Sequence, residues 1–192
     1  MSDAETAEAS VAETEILEES SGGESSDDVI ESTIEWPFRS QGEKWLCEVY
    51  SAPRVGPRFE LLGGHSLSKD IRTGWNAEEF DARATLLKWV DDTPVLGTVV
   101  LSPPCTMFSS LQNTNKHKMK DWDAKKAQGD LHLQFAMLLA KRQLSNAGGF
   151  IFEHPDSASS WGEACVKEIL NDPAVHHPSP LKGGCSTMTG CN

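Results

Sequence analysis

At 192 residues the chain has room for one domain and not comfortably two. Its 17 Lys+Arg stand against 29 Asp+Glu, a net charge of -12, and the excess sits at one end: residues 1–38 hold 12 acids and no Lys or Arg, leaving 17 of each sign in the remainder. That balance excludes a simple basic nucleic-acid binder, while five cysteines without a secretory leader or an apolar span exclude a disulfide-stapled secreted scaffold and a membrane protein.

The expected setting is therefore intracellular, with reduced thiols. Residues 1–38 are rich in Ser, Glu and Ala, with no aromatic before Trp36. Such a stretch buries too little apolar surface to offset chain entropy, so a disordered acidic tail is expected. Residues 39–175 are expected to form one α/β domain, and 176–192, rich in Pro, Gly and Cys without a periodic pattern, an irregular C-terminal segment.

Trp45 to Tyr50 reads as the first strand, ending at Ser51-Ala52-Pro53-Arg54-Val55-Gly56. Ser66 to Ile71 reads as a second, closed by Thr73-Gly74. Asn76 followed by Glu79 has capping-box spacing, and Phe80, Ala84 and Leu87 then recur at helical spacing up to Asp91-Asp92. Thr98-Val99-Val100-Leu101 is a short β-branched run of the kind found inside a parallel sheet. Ser102-Pro103-Pro104 stops it, because proline fixes φ and has no N–H for the ladder.

The residue delivered by that stop is Cys105. In open α/β sheets the carboxyl ends of the strands are where ligands sit, so a thiol held there by two prolines is a candidate nucleophile. Residues 107–122 read as a polar, basic connection carrying Lys116, His117, Lys118 and Lys120. From about Asp123 to Ser145 a long helix is expected, with Leu131, Phe135, Leu138 and Leu139 as its apolar stripe and Gly148-Gly149 as its stop. Phe150-Ile151-Phe152 reads as a buried strand delivering Glu153-His154-Pro155. Ser160 with Glu163 reads as the cap of a last helix bearing Val166, Ile169 and Leu170.

Strands alternating with amphipathic helices predict the α/β class with a doubly wound, mostly parallel sheet. Right-handed crossovers then bring Glu48, Asp70, Cys105 and Glu153 to one sheet edge. The five lysines from Lys116 to Lys126 read as a solvated helix approach rather than a phosphate grip. His176, His177, Cys185 and Cys191 match no zinc-ligand spacing, so no metal is expected. Trp75, Trp89 and Trp161 read as packing residues.

The stretch Ser102-Pro103-Pro104-Cys105-Thr106-Met107-Phe108-Ser109 resembles the Pro-Pro-Cys nucleophile loop of DNA cytosine-5 methyltransferases. Phe152-Glu153-His154-Pro155 is similar to that family's Glu-Asn-Val/Pro element, with His154 in place of Asn. Residues 48 to 161 also resemble methylase-like segments of retroelement polyproteins. Together these cover about the catalytic half of a methyltransferase domain.

The resemblance implies a truncated, Rossmann-like fold dependent on S-adenosylmethionine, with cytosine in DNA as substrate and a nuclear location if that DNA is genomic. Cys105 would be the thiolate that adds to cytosine C6, and Glu153 the carboxyl that holds N3 and the exocyclic amine. The base would have to leave its duplex stack. Glu48, Tyr50, Ser51 and Gly56 fall on the family's cofactor-binding opening, Asp70 on its ribose-binding acid, and Ser102 and Pro104 beside the cofactor.

The glycines that normally follow the first strand are replaced by Ala52-Pro53-Arg54-Val55, so either a different loop forms there or no cofactor binds. The downstream Gln-x-Arg-x-Arg element and the target-recognition region have no counterpart, as expected of a fragment of a larger gene product. The alternative is a catalytically silent methyltransferase-fold remnant acting as a nucleic-acid-binding or interaction module. An amino-group methyltransferase is a third reading, disfavoured because Cys105 occupies the place of that group's aromatic residue.

Overall fold

The computed structural model describes residues 44–93, 96–180 and 184–191, without the side chains of Leu96, Asn113 and 177–180. The expected acidic tail lies outside the described residues. Within them the fold is mixed α/β around one six-stranded sheet of order β2-β1-β3-β4-β6-β5. The strands are β1 (Trp45–Val49), β2 (His65–Lys69), β3 (Leu96–Leu101), β4 (Gly149–Pro155), β5 (Val175–Pro180) and β6 (Cys185–Cys191). The helices are α1 (Gly56–Leu61), α2 (Phe80–Asp92), α3 (Ser110–Asn115), α4 (Trp122–Ser145) and α5 (Ala164–Leu170).

β2, β1, β3 and β4 run parallel, and β6 is antiparallel to both β4 and β5. The centre of the sheet is apolar on both faces: Val49, Val99, Leu101, Phe150 and Phe152 are buried on one, and Leu46 and Val100 on the other. This is the signature of strands covered on both sides. α4 lies on β3 and β4, with α2 and α5 packed against it. No helix among the described residues is long and apolar enough to cross a membrane.

Several elements differ from the sequence reading. α2 starts at Phe80 after a turn in which Glu78 N–H bonds Asn76 Oδ1, so Asn76 does not cap the helix. Its inward stripe is Ala82-Leu86-Val90, and Phe80 is left 73% exposed. On α4 Leu138 faces outward, whereas Leu133, Ala136, Met137 and Ala140 join Phe135 and Leu139 in a buried band wider than one stripe. The helix has sheet on one side and other helices beside it, which explains the width.

α4 ends in a Schellman turn: Gly148 N–H reaches Gln143 O and Ala147 N–H reaches Leu144 O. The left-handed residue there is Ala147 (φ 55°), not a glycine. Ser160 does not cap α5, whose N-cap is Glu163.

Residues 176–192, expected to be irregular, supply most of β5 and all of β6. The inward positions of β6 are Ser186, Met188 and Gly190, so only one bulky apolar residue marks its buried face. Gly190 is required there, since a Cβ would lie 2.5 Å from Phe150 Cε1. β5 carries Pro178 and Pro180, which an edge strand tolerates and an inner one does not.

Candidate functional site

β1 ends at Val49, and the next residue, Tyr50, has a left-handed backbone (φ 67°). A bulky residue there is strained by about 1–2 kcal/mol and persists only where its surroundings dictate it. Tyr50 N–H bonds Lys69 O, its hydroxyl donates to His132 O at 3.3 Å, and its ring meets Trp75 and His132 edge-on. Burial pushes its phenol well above the usual range, with Arg83 opposing.

The turn after Tyr50 is built around Glu48, which is buried at 1% exposure. Its carboxylate accepts from three successive backbone N–H groups: Arg54 (3.2 and 3.1 Å), Val55 (3.1 Å) and Gly56 (2.7 Å). Ser51 accepts from Arg54 Nε at 3.1 Å and donates to Ala52 O. Gly56 opens α1, where a Cβ would stand 2.5 Å from Ser66 Oγ. A defined loop therefore forms without the glycines, and it does so by consuming the carboxylate.

Asp70 follows β2. It caps the 3-10 turn Ile71–Thr73 by accepting from Arg72 N–H at 3.0 Å. No hydrogen bond among the described residues joins Asp70 or Glu48 to Cys105 or Glu153.

The proline–cysteine loop leaves β3 at Ser102, whose N–H bonds Val49 O at 3.1 Å, tying it to β1. Pro103 is buried and Pro104 exposed. Cys105 is half-buried at the head of the 3-10 turn Thr106–Phe108, where its carbonyl accepts from Phe108 N–H. Glu153, also half-buried, stays within β4 opposite Thr187. Ser102 Oγ reaches Glu153 Oε2 at 3.5 Å, a contact between residues 51 apart that joins the cysteine loop to the acid.

Phe108 anchors the loop from beneath. It is fully buried, and its carbonyl accepts from Ser159 Oγ at 3.3 Å. Lys126 Nζ lies 4.7 Å from its ring centroid and also pairs with Asp130 and with Glu163 at 3.2 Å. Burial works against that ammonium, but hydrogen bonds to Asp130 and Glu163 outweigh it and hold its pKa high. Gly129 lets α4 approach: a Cβ there would be 3.1 Å from Met107 Cβ.

His154 is the residue whose role sequence alone does not reveal. It is 2% exposed, its Nδ1 lies 2.5 Å from Ser160 Oγ, and its ring stacks on Phe152 and meets Phe108 edge-on. Burial pushes its pKa down to about 4, with the Pro103 backbone opposing. The only sequence signal was its departure from the Asn of the resembled element. His132, at 8% exposure with Nδ1 unpartnered among the described residues, carried no signal at all.

Comparison with protein-family models, curated proteins and solved structures returned no match to this chain.

Two open pockets lie elsewhere. One of about 350 Å³ runs between α4 and α5 beside Asp130, Cys165 and Glu168, and one of about 370 Å³ beside Leu67, Trp75 and Trp89. None of the candidate residues lines either.

Proposed function

We propose that the chain is a methyltransferase-like domain acting on cytosine in DNA, with Cys105 as nucleophile and Glu153 as the group that holds the base. The observation that carries this reading is the Ser102–Glu153 hydrogen bond, which couples a thiol loop to a carboxyl from the neighbouring parallel strand. In the proposed reaction the Cys105 sulfur adds to C6, and Glu153 stabilises the charge that builds on the ring. S-adenosylmethionine would supply the methyl group at C5, after which loss of the C5 proton to solvent would expel the Cys105 thiolate and restore the ring. The sheet order, with five strands running the same way and the antiparallel β6 inserted between β4 and β5, supports a doubly wound, Rossmann-like ancestry.

Glu48 is saturated by its own loop, the Tyr50 hydroxyl is held by His132, Ser51 is bonded to Arg54, and Asp70 caps its own turn. The residues matched to the cofactor site do not present an open set of donors and acceptors, so no step is assigned to them. That engagement favours the second reading, a silent methyltransferase-fold remnant that binds nucleic acid or another partner.

Tritium transfer from labelled S-adenosylmethionine to a cytosine-containing duplex, abolished in Cys105→Ala, supports the enzyme. Covalent trapping on a 5-fluorocytosine duplex tests the thiol step separately. Absence of both transfer and calorimetric cofactor binding in the folded full chain favours the remnant.

A further inference from the structure

We propose that Lys126 is a positioning residue for the Cys105 turn, its ammonium held by Asp130 and Glu163 against the Phe108 ring. The role rests on reading Cys105 as the nucleophile, but none of its tests needs methyl transfer.

Five lysines lie between Lys116 and Lys126. Lys116, Lys118, Lys120 and Lys125 are exposed, as a solvated stretch predicts, whereas the Lys126 side chain is only 27% exposed. Its Nζ meets groups from three elements. Asp130 pairs with it one turn along α4, Glu163 accepts from it at 3.2 Å at the N-cap of α5, and the Phe108 ring centroid lies 4.7 Å away. The carboxylates use two of the ammonium's three donors, and the charge that faces the ring is attracted by its π-electrons. The ring is fully buried, so little water screens that attraction.

Phe108 passes this hold on to the thiol. Its N–H bonds Cys105 O at 2.9 Å across the 3-10 turn, so the two residues move together. Other contacts leave the turn little slack. Ser159 Oγ donates to Phe108 O at 3.3 Å, His154 meets the ring edge-on, and Met107 rests so close to Gly129 that a Cβ there would stand 3.1 Å from its own. Lys126 and Gly129 are three apart on α4, so one helix face supports both Met107 and Phe108. Without the Lys126 charge, the Asp130 and Glu163 carboxylates would lose the cation they share and lie uncompensated near an electron-rich ring. Their repulsion would drive the turn and the start of α5 away from α4, and Cys105 would move with Phe108.

In the native full chain the Phe108 ring current should place the Lys126 Hε protons upfield of their random-coil position; Hε protons at that position overturn the proposal. Alkylation by iodoacetamide, followed at each cysteine by mass spectrometry, reads the turn. Lys126→Arg keeps the charge and the reach, and should leave the Cys105 rate within about twofold. Lys126→Met keeps the stem without the charge, and should raise that rate about fivefold or more while buried Cys47 stays protected. Equal Cys105 rates in the two variants overturn the proposal, and so does an equal rise at Cys47, which marks general loosening. If Lys126→Met does not fold, Glu163→Gln decides, since Glu163 makes no side-chain bond to the α5 end and its loss releases only the tether. That variant should raise the Cys105 rate about threefold, and an unchanged rate overturns the proposal. Should these rates hold while methyl transfer fails, the enzymatic reading falls and the positioning role stands. Methyl transfer together with an unmoved Cys105 rate in Lys126→Met removes the role and leaves the enzyme.

Discussion

Replacing Glu48 by glutamine separates the shaping of the first loop from cofactor binding. The change keeps the volume, so no cavity opens, and what is lost is charge and one acceptor. In the native protein one oxygen serves Gly56 and Arg54, and the other serves Val55 and Arg54. Glutamine will put its remaining oxygen on the Gly56 side, because Gly56 is buried while Val55 and Arg54 reach solvent. Its amide then faces the Val55 N–H, which turns to water. Charge-assisted bonds are worth about 2 kcal/mol, twice neutral ones, so halving two of them and losing one gives a destabilisation of about 4 kcal/mol. For a domain of this size that is a fall in Tm of about 8–16 °C. Urea denaturation with an unchanged m-value measures it, and hydrogen exchange should show lost protection at the Arg54, Val55 and Gly56 amides. A variant within about 0.5 kcal/mol of the parent, with those amides still protected, would show that Glu48 does not hold this loop.

Two further perturbations bear on the packing. Ala147→Gly should stabilise the fold by about 0.5–1 kcal/mol, since relief of the left-handed strain exceeds the added freedom of the unfolded chain; a loss of stability in thermal melts would contradict the Schellman geometry. The buried imidazoles make stability fall with acid. An unfolded histidine titrates near pH 6.5, while burial holds folded His154 at about 4, so the unfolded chain takes up the proton first. Stability is therefore full above pH 6.5 and declines as pH falls toward 4, by up to about 3 kcal/mol from this ring. His132 is shifted the same way by its burial and adds to the slope. Urea midpoints taken from neutral pH down to about pH 4.5 should fall in the parent and less steeply in His154→Asn, and parallel curves would remove His154 as the source.

The central half of the fold was legible because its elements carry strong local signals. Val99-Val100-Leu101 and Phe150-Ile151-Phe152 are apolar runs that a parallel interior demands, and the double proline marks where the first of them ends. The register of the helices was less legible. Phe80 begins α2 yet is exposed, because Leu86 and Val90, not its own spacing, touch the sheet side. β6 escaped notice for a physical reason: Ser186 and Gly190 fill two of its three inward positions, Gly190 covered by the side chains of Phe150, Val175 and Leu144 and Ser186 donating to Asp156 Oδ1. His154–Ser160 was invisible for another. Two polar residues in an unremarkable stretch acquire meaning only when the chain folds Ser160 back over the strand.

The strand that left so little trace also braces the candidate acid on β4. β3 pairs with β4 only as far as Leu101 opposite Phe152, after which the proline turn takes the chain away. Glu153, His154 and Pro155 run on past that point, and among the described residues their only strand partners are Thr187, Ser186 and Cys185 of β6. Without β6 this overhang would be frayed backbone, and both the carboxyl and the imidazole would be mobile. With it, the acid sits on rigid sheet while the thiol sits on a loop, and Ser102 spans the step between them. Ending the chain at residue 180 tests this directly. The truncated protein loses Met188, which is fully buried against the core, so stability should drop by at least about 2–5 kcal/mol. The rate of Cys105 alkylation should rise toward that of the unfolded chain. A truncated chain that keeps the parent's cooperative transition and its Cys105 rate would mean that β4 holds Glu153 and His154 unaided, and the coupling of sheet edge to site would have to be abandoned.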